Sequence, residues 1–280
     1  MSENPSYSRL DIDERGVARL TLDRPDIHNA FDDALIREIN TRLDTISEAI
    51  ERGEVRIVVL ASQGKHFSAG ADLGWMKRMA AYDFKYNIDD SRELSRLMHR
   101  LDTLPCPTLC RVQGAAYGGA VGLATCCDVV IASEVARFCL SEVKIGLSPA
   151  IISPYVQRAI GVRQMRRYAL TAEVIDASTA QMLGLVHEIA GVDELDSIVD
   201  AMIDTLLAPS PQAQRATKSL LAAVAREPDS EEIRERCCQT ISKLRVSDEG
   251  QEGLMAFFDK RKPAWQLPAD TQPDDQEPRQ

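Results

Sequence analysis

Apolar and polar positions alternate through residues 7–12 and 16–22, YSRLDI and GVARLTL, on either side of an Asp-Glu-Arg-Gly turn, which predicts an opening β-hairpin. Arg24-Pro25-Asp26 then breaks the second strand. From Asp32 the period lengthens: Leu35, Ile36, Ile39, Leu43, Ile46 and Ile50 share one helical face, with Asp32 or Asp33 placed to cap it. Residues 56–61, RIVVLA, form a short and almost wholly apolar run, as expected of a central strand covered on both faces. A polar, glycine-containing loop, SQGKHFSAGADLG, comes next. Leu94, Leu97, Met98 and Leu101 mark a second amphipathic helix, ended by Leu104-Pro105. Residues 108–112 read as a strand, residues 114–122 as a glycine-rich loop entering a helix, and residues 129–132 as another strand. Strand, loop, helix and strand in this order predict right-handed crossovers and a mainly parallel α/β sheet.

After about Asp193 the strand signal disappears. Three or four amphipathic helices take over, carrying Ile198, Met202 and Leu206, then Leu220, Leu221 and Val224, then Ile233, Cys237, Ile241 and Leu244. Their apolar stripes have little other core to cover, a pattern suited to subunit contacts. From Pro268 the chain holds three prolines, four acids and no large apolar residue, which predicts disorder. The expected organisation is an α/β core with the active site over 1–195, a helical segment over 196–265 and a disordered acidic tail over 266–280.

Composition narrows the function classes. A length of 280 residues with 44% hydrophobic and 27% charged side chains is that of a globular chain. Its 43 acids against 33 bases give a net charge of −10, which argues against nucleic-acid binding, because phosphate contacts need clustered Lys and Arg. The polar start MSENPSYSRLDIDERG shows no export signal, and no run approaches the roughly 18 apolar residues of a membrane span. The expectation is a cytoplasmic protein with no membrane partner. Seven cysteines and four scattered histidines (His28, His66, His99, His187) do not form paired metal-ligand motifs, so no metal is expected and the cysteines read as buried free thiols.

Two loops leave the carboxyl ends of predicted strands, where open α/β sheets bind ligands. One is Phe67-Ser68-Ala69-Gly70-Ala71-Asp72-Leu73; the other is Gly114-Ala115-Ala116-Tyr117-Gly118-Gly119-Ala120. Small residues beside glycines let a ligand reach backbone N–H groups, and two such groups converging would make an oxyanion hole. Neither loop matches a dinucleotide, phosphate-loop or nucleophile-elbow motif. Spacing alone therefore leaves a binding site of undefined chemistry.

Five ordered motifs carry a resemblance. Arg24-Pro25-(x3)-Asn29-Ala30-Phe31, the two loops, Cys127-Asp128, and Phe138-(x3)-Glu142-(x3)-Gly146 together resemble the enoyl-CoA hydratase/isomerase (crotonase) superfamily over about residues 7–265. The resemblance implies a crotonase (ClpP-like) spiral of repeated ββα units, a C-terminal helical trimerisation segment, a homotrimer or dimer of trimers, and an acyl-CoA thioester substrate. Coenzyme A is then part of the substrate, and no separate cofactor is implied. The stretches ADLGWMK (71–77) and GLSPAIISP (146–154) are similar to bacterial hydratases of branched, carboxylated enoyl-CoAs. Those act on 3-methylglutaconyl-CoA in leucine breakdown or on γ-carboxygeranoyl-CoA in acyclic terpene breakdown.

Carried over by position, the oxyanion donors implied are the N–H groups of Ala71 and Gly119, and the proton-exchanging glutamate is Glu142. The CoA and acyl contacts implied are Ile27, His28, Ala69, Gly70, Asp72, Leu73, Trp75, Tyr117, Gly118 and, from a neighbouring subunit, Phe257 and Lys260. Asp72 and Asp128 also read as structural, bonding local backbone. Lys65, Lys77 and Arg78 are further candidates for CoA phosphates. The sequence departs from the two-glutamate hydratases at one position: three residues past Gly-Gly-Ala, where they carry a second glutamate, stands Gly122. That leaves a hydratase and a one-base isomerase both open. RNA binding, known for a eukaryotic relative, is opposed by the acidic balance.

Overall fold

The computed structural model describes residues 6–266, so the tail expected to be disordered lies, after Gln266, outside the described residues. The predicted hairpin is present as β1 (Ser8–Ile12) and β2 (Val17–Leu22). Then come α1 (Asp33–Glu51), β3 (Ile57–Ser62), α2 (Leu73–Ala81), α3 (Phe84–Asp102), β4 (Thr108–Val112), β5 (Ala115–Tyr117), α4 (Gly119–Cys126), β6 (Val129–Ser133) and β7 (Arg137–Cys139). The chain continues through α5 (Ser153–Thr171), β8 (Ile175–Asp176), α6 (Ala177–Leu183), β9 (Glu188–Ala190), α7 (Leu195–Leu207), α8 (Pro211–Arg226), α9 (Glu231–Val246) and α10 (Asp248–Phe258).

The main sheet has the order β1-β2-β3-β4-β6-β9, and every pair but the opening hairpin is parallel. Its central strand β3 is buried on both faces, as the unbroken apolar run requires: Ile57, Val58, Val59 and Leu60 are at most 1% exposed. Asp32, rather than Asp33, caps α1, its carboxylate accepting from the Leu35 N–H at 2.8 Å. The buried face of α1 consists of Leu35, Ile36, Ile39, Leu43, Ile46 and Ile50, with Ala49 and Asn40.

Two expectations need correction. Residues 114–122 do run into a helix, α4, but the part before it is not wholly loop. Residues 115–117 form β5, which pairs with β7 in a second sheet of order β5-β7-β8. Three residues between glycines are too few for a period to show, and it is pairing with β7 that makes them a strand. The polar loop after β3 also ends early, because Asp72 caps α2 by accepting from the Trp75 N–H at 2.9 Å.

The described chain divides into two compact units. One runs to Leu104 and from Thr108 to Met202; the other takes Pro105–Pro107 and the residues from Ile203 onward. In the second unit Ser210, Ser230 and Ser247 cap α8, α9 and α10. Leu221, Ile241, Val246, Phe257 and Phe258 are exposed there. Cys106, Cys110, Cys126, Cys127 and Cys139 are buried free thiols; Cys238 is exposed and Cys237 half-buried, which corrects the reading for that pair on α9.

Candidate active site

Strand pairing brings the candidate residues together. β5 and β7 run parallel and side by side, with Tyr117 opposite Cys139. The residues just past their ends, Gly118 and Gly119 on one and Glu142 on the other, therefore emerge next to each other. The Gly118 N–H donates to the Cys139 carbonyl at 2.9 Å and fixes this junction. Glu142 opens a 3-10 turn (Glu142–Ile145), closed by Gly146 at φ 78° and by a bond from the Leu147 N–H to the Glu142 carbonyl.

The loop after β3 reaches the same place. Ser68 bridges Ala116, with its N–H on the Ala115 carbonyl at 3.0 Å and the Tyr117 N–H on its own carbonyl at 3.1 Å. Two residues on, Gly70 adopts φ 93°, and a Cβ there would lie 3.1 Å from the Tyr117 carbonyl oxygen. Only glycine combines that conformation with such a close approach.

Phe31 holds the two proposed donors in relation to each other. Its N–H donates to the Gly70 carbonyl and its carbonyl accepts from the Asp72 N–H, both at 2.7 Å, so Ala71 lies opposite it in a parallel bridge. In such a bridge the N–H of the intervening residue, here Ala71, points away from the partner. The ring of Phe31 meanwhile packs where a Gly119 side chain would be, 3.5 Å from the position of its Cβ. Gly119 is the first residue of α4, so its N–H has no partner within the helix and lies at the positive end of the dipole. Ala71 is exposed and Gly119 half-buried, so both can be approached.

Glu142 completes the cluster. Its carboxyl group faces Gly118, whose Cβ position lies 3.2 Å from Oε1. Its other oxygen, Oε2, is buried without a hydrogen-bond partner among the described residues. Burial pushes the Glu142 carboxyl above the usual range, against the opposing pull of its own backbone N–H.

The remaining candidates divide. Ala69 donates to the His28 carbonyl at 2.9 Å, so Ile27 and His28, both exposed, stand beside the 69–71 segment. Leu73 is 74% exposed. Trp75 is buried, and its indole N–H donates to Asp90 at 2.9 Å, tying α2 to α3. Asp72 and Asp128 bond local backbone: Asp72 caps α2, and Asp128 accepts from the Thr108 N–H at 2.8 Å. Arg78 pairs with Asp33 at 2.7 Å. Phe257 and Lys260 lie in the second unit, both exposed.

Sequence reasoning assigned no role to three residues that build the site. Asn29 is fully buried at φ 53°. Its amide oxygen accepts from the Arg24 N–H, and its amide nitrogen donates to the carbonyls of Gln63 and His66, stapling the loop after β2 to the loop after β3. Phe31 spaces the donors as described. His66 accepts the Ala115 N–H on Nδ1 at 3.0 Å, fixing the start of β5. Asn29 and Phe31 lie inside a quoted motif and could have been weighed; His66 gave no signal.

Comparison with known proteins decides the family, since the profile described as "Enoyl-CoA hydratase/isomerase" matches residues 13–268. The chain belongs to the enoyl-CoA hydratase/isomerase family. It is similar to a solved enoyl-CoA hydratase from Shewanella pealeana, at 47% identity and TM-score 0.88, over 93% of this chain and 96% of that one. Among proteins of described activity it is 31% identical to 2,3-dehydroadipyl-CoA hydratase of Escherichia coli, over 89% of this chain and 95% of that protein. It is 30% identical to trans-2-decenoyl-[acyl-carrier-protein] isomerase of Streptococcus mutans, over 89% and 94%. The expected α/β crotonase fold is thereby shown, and the chain is an enzyme of the hydratase/isomerase family. Among the described residues of this hydratase/isomerase no three His, Cys, Asp or Glu side chains cluster as a metal site, and no helix is long and apolar enough to cross a membrane.

Proposed function

We propose that the protein adds water reversibly across the double bond of a branched, carboxylated enoyl-CoA such as 3-methylglutaconyl-CoA. Glu142 carries the reading: a half-buried carboxyl with an unsatisfied oxygen sits one residue from the N–H at the start of α4. In the hydration direction the Glu142 carboxylate takes a proton from water as the water oxygen bonds to Cβ. The displaced π electrons move to the thioester oxygen, where the Ala71 and Gly119 N–H groups stabilise the developing enolate. Each such donor is worth about 3 kcal/mol of barrier. Protonated Glu142 then gives its proton to Cα, which completes addition of one water and restores the carboxylate. A single carboxyl serving both bonds implies addition to one face.

Gly122 favours a second reading, a one-base isomerase, in which Glu142 moves a proton between two carbons and no water is incorporated; the similarity to an isomerase points the same way. The two separate on one experiment. The enzyme is incubated with 3-methylglutaconyl-CoA in oxygen-18 water. A hydroxyacyl product bearing the label supports hydration, whereas an unlabelled product of unchanged mass assigns isomerisation.

A further inference from the structure

Two side-chain oxygens lie against Gly118. Beyond its chain neighbours, the atoms nearest to a Cβ built on it are Glu142 Oε1 at 3.2 Å, the Glu142 carboxyl carbon at 3.7 Å and Ser141 Oγ at 4.0 Å. A carboxyl and a hydroxyl from adjacent residues thus share one patch of bare backbone, one residue from the Gly119 N–H at the start of α4. The local backbone explains why the hydroxyl is there. Ser141 is the N-cap of the 3-10 turn, yet its φ of −85° and ψ of −5° are helical, and its side chain makes no cap bond. Ser210, Ser230 and Ser247 have extended backbone, and each turns its oxygen back to accept an N–H of its own helix. Ser141 contributes only its carbonyl to the turn, accepting from the Lys144 N–H at 3.1 Å, and its hydroxyl is left beside Gly118.

A water that attacks carbon reacts fastest when both its O–H bonds are held and a lone pair is aimed at the target. Glu142 can hold one O–H. The start of α4 offers no group for the other, since Gly118, Gly119 and Gly122 are bare. At Gly122 no side chain fits: a Cβ there would lie 2.2 Å from Ile152 Cγ2, 2.8 Å from Ile152 Cβ and 3.2 Å from Met98 Cε. We propose that Ser141 Oγ is the second acceptor for the attacking water. The inference rests on the hydration reading of the site. One O–H of the water donates to the Glu142 carboxylate and the other to Ser141 Oγ, which leaves a lone pair directed at Cβ of the enoyl group. As the carbon–oxygen bond forms, the first proton passes to Glu142 and the second stays on the new hydroxyl. Ser141 neither gains nor loses a proton, so a hydroxyl, which accepts without titrating, is sufficient there.

The test compares two reactions of the same site. Hydration of 3-methylglutaconyl-CoA needs the water, whereas deuterium exchange at Cα of the saturated 3-methylglutaryl-CoA needs Glu142 and the two proposed donors but no attacking water. Ser141→Ala should lower kcat for hydration about tenfold, the loss of one hydrogen bond. Its KM and its exchange rate should stay within about twofold of wild type, and the intact exchange also shows that the variant is folded. Ser141→Thr, which keeps the hydroxyl, should hydrate within about threefold of wild type. Hydration unchanged in Ser141→Ala overturns the proposal. So does an equal loss of hydration and exchange, which would mean that Ser141 shapes the site without holding water, and so does a threonine variant as slow as alanine. Failure of the parent reading looks different: wild-type enzyme that exchanges the Cα hydrogen but incorporates no oxygen-18 from labelled water is not a hydratase, and the role of Ser141 falls with that reading.

Discussion

A methyl group on Gly118 would lie 3.2 Å from Glu142 Oε1 and 3.7 Å from the carboxyl carbon, so this acid rests on bare glycine backbone. Gly118 also has φ 54° and ψ −122°, a conformation side chains resist. Gly118→Ala should therefore cost about 1–3 kcal/mol of stability and displace the carboxyl. Thermal melting and kcat/KM are the readouts, and an alanine variant with wild-type values of both would show that the contact is slack.

Glu142→Gln removes the proposed proton carrier but keeps size and burial. Turnover should fall by about 10²–10⁴-fold, while affinity for a CoA product, measured by calorimetry, stays within a few-fold. Residual activity within tenfold of wild type would take Glu142 out of the mechanism.

The raised proton affinity of Glu142 sets a pH dependence. The proposed hydration needs its carboxylate, so the acid limb of kcat/KM should fall above the ordinary glutamate value of 4.5. Stability has the opposite sense. A group with a raised folded-state pKa contributes fully below its unfolded value and loses that contribution as pH rises through the folded value. A limb at or below 4.5 in the hydration direction would contradict this assignment.

His66 titrates the other way. Burial, then the nearby His28 and Lys65, hold it below the usual 6.5, and its Nδ1 must stay unprotonated to accept from Ala115. Its contribution is present above 6.5 and is lost as pH falls from there through the folded value. The melting temperature should drop more steeply across this window in wild type than in His66→Gln. Parallel curves would mean that the Ala115 bond contributes nothing measurable.

Asp90 and Trp75 connect α2, which follows the proposed donor Ala71, to α3. Asp90→Ala leaves a buried indole N–H without an acceptor, at a cost of about 1–3 kcal/mol, whereas Asp90→Asn keeps a carbonyl in place and should cost less. Denaturant midpoints of the two variants give the comparison, and equal losses would show that the charge, not the acceptor, matters.

What the sequence made legible follows the length of each signal. Six apolar positions on α1, and Asp32 at its start, sufficed for a helix and its cap. The unbroken IVVLA run sufficed for a buried strand. β5 escaped because three residues between glycines have no period and become a strand only through β7. α2 escaped because its nine residues carry a single buried side chain, Trp75. At the site, Glu142 and the two loops were visible through motif order, whereas Asn29 and Phe31 act by backbone and packing geometry that a motif does not show. Ile152 lies within the quoted GLSPAIISP stretch, but its approach to Gly122 from 30 positions along the chain is a packing relation that the stretch does not show.

Among the described residues no group donates to Oε2 of Glu142, which leaves that oxygen open to a donor brought by a ligand. A buried acceptor left unmatched forfeits about 1–3 kcal/mol, and a ligand arriving with an O–H in the right place recovers some of it. A 3-hydroxyacyl thioester, the product of the proposed hydration, should consequently hold on more tightly than the saturated thioester of the same chain length, and its inhibition should outrun anything its hydrocarbon alone could explain.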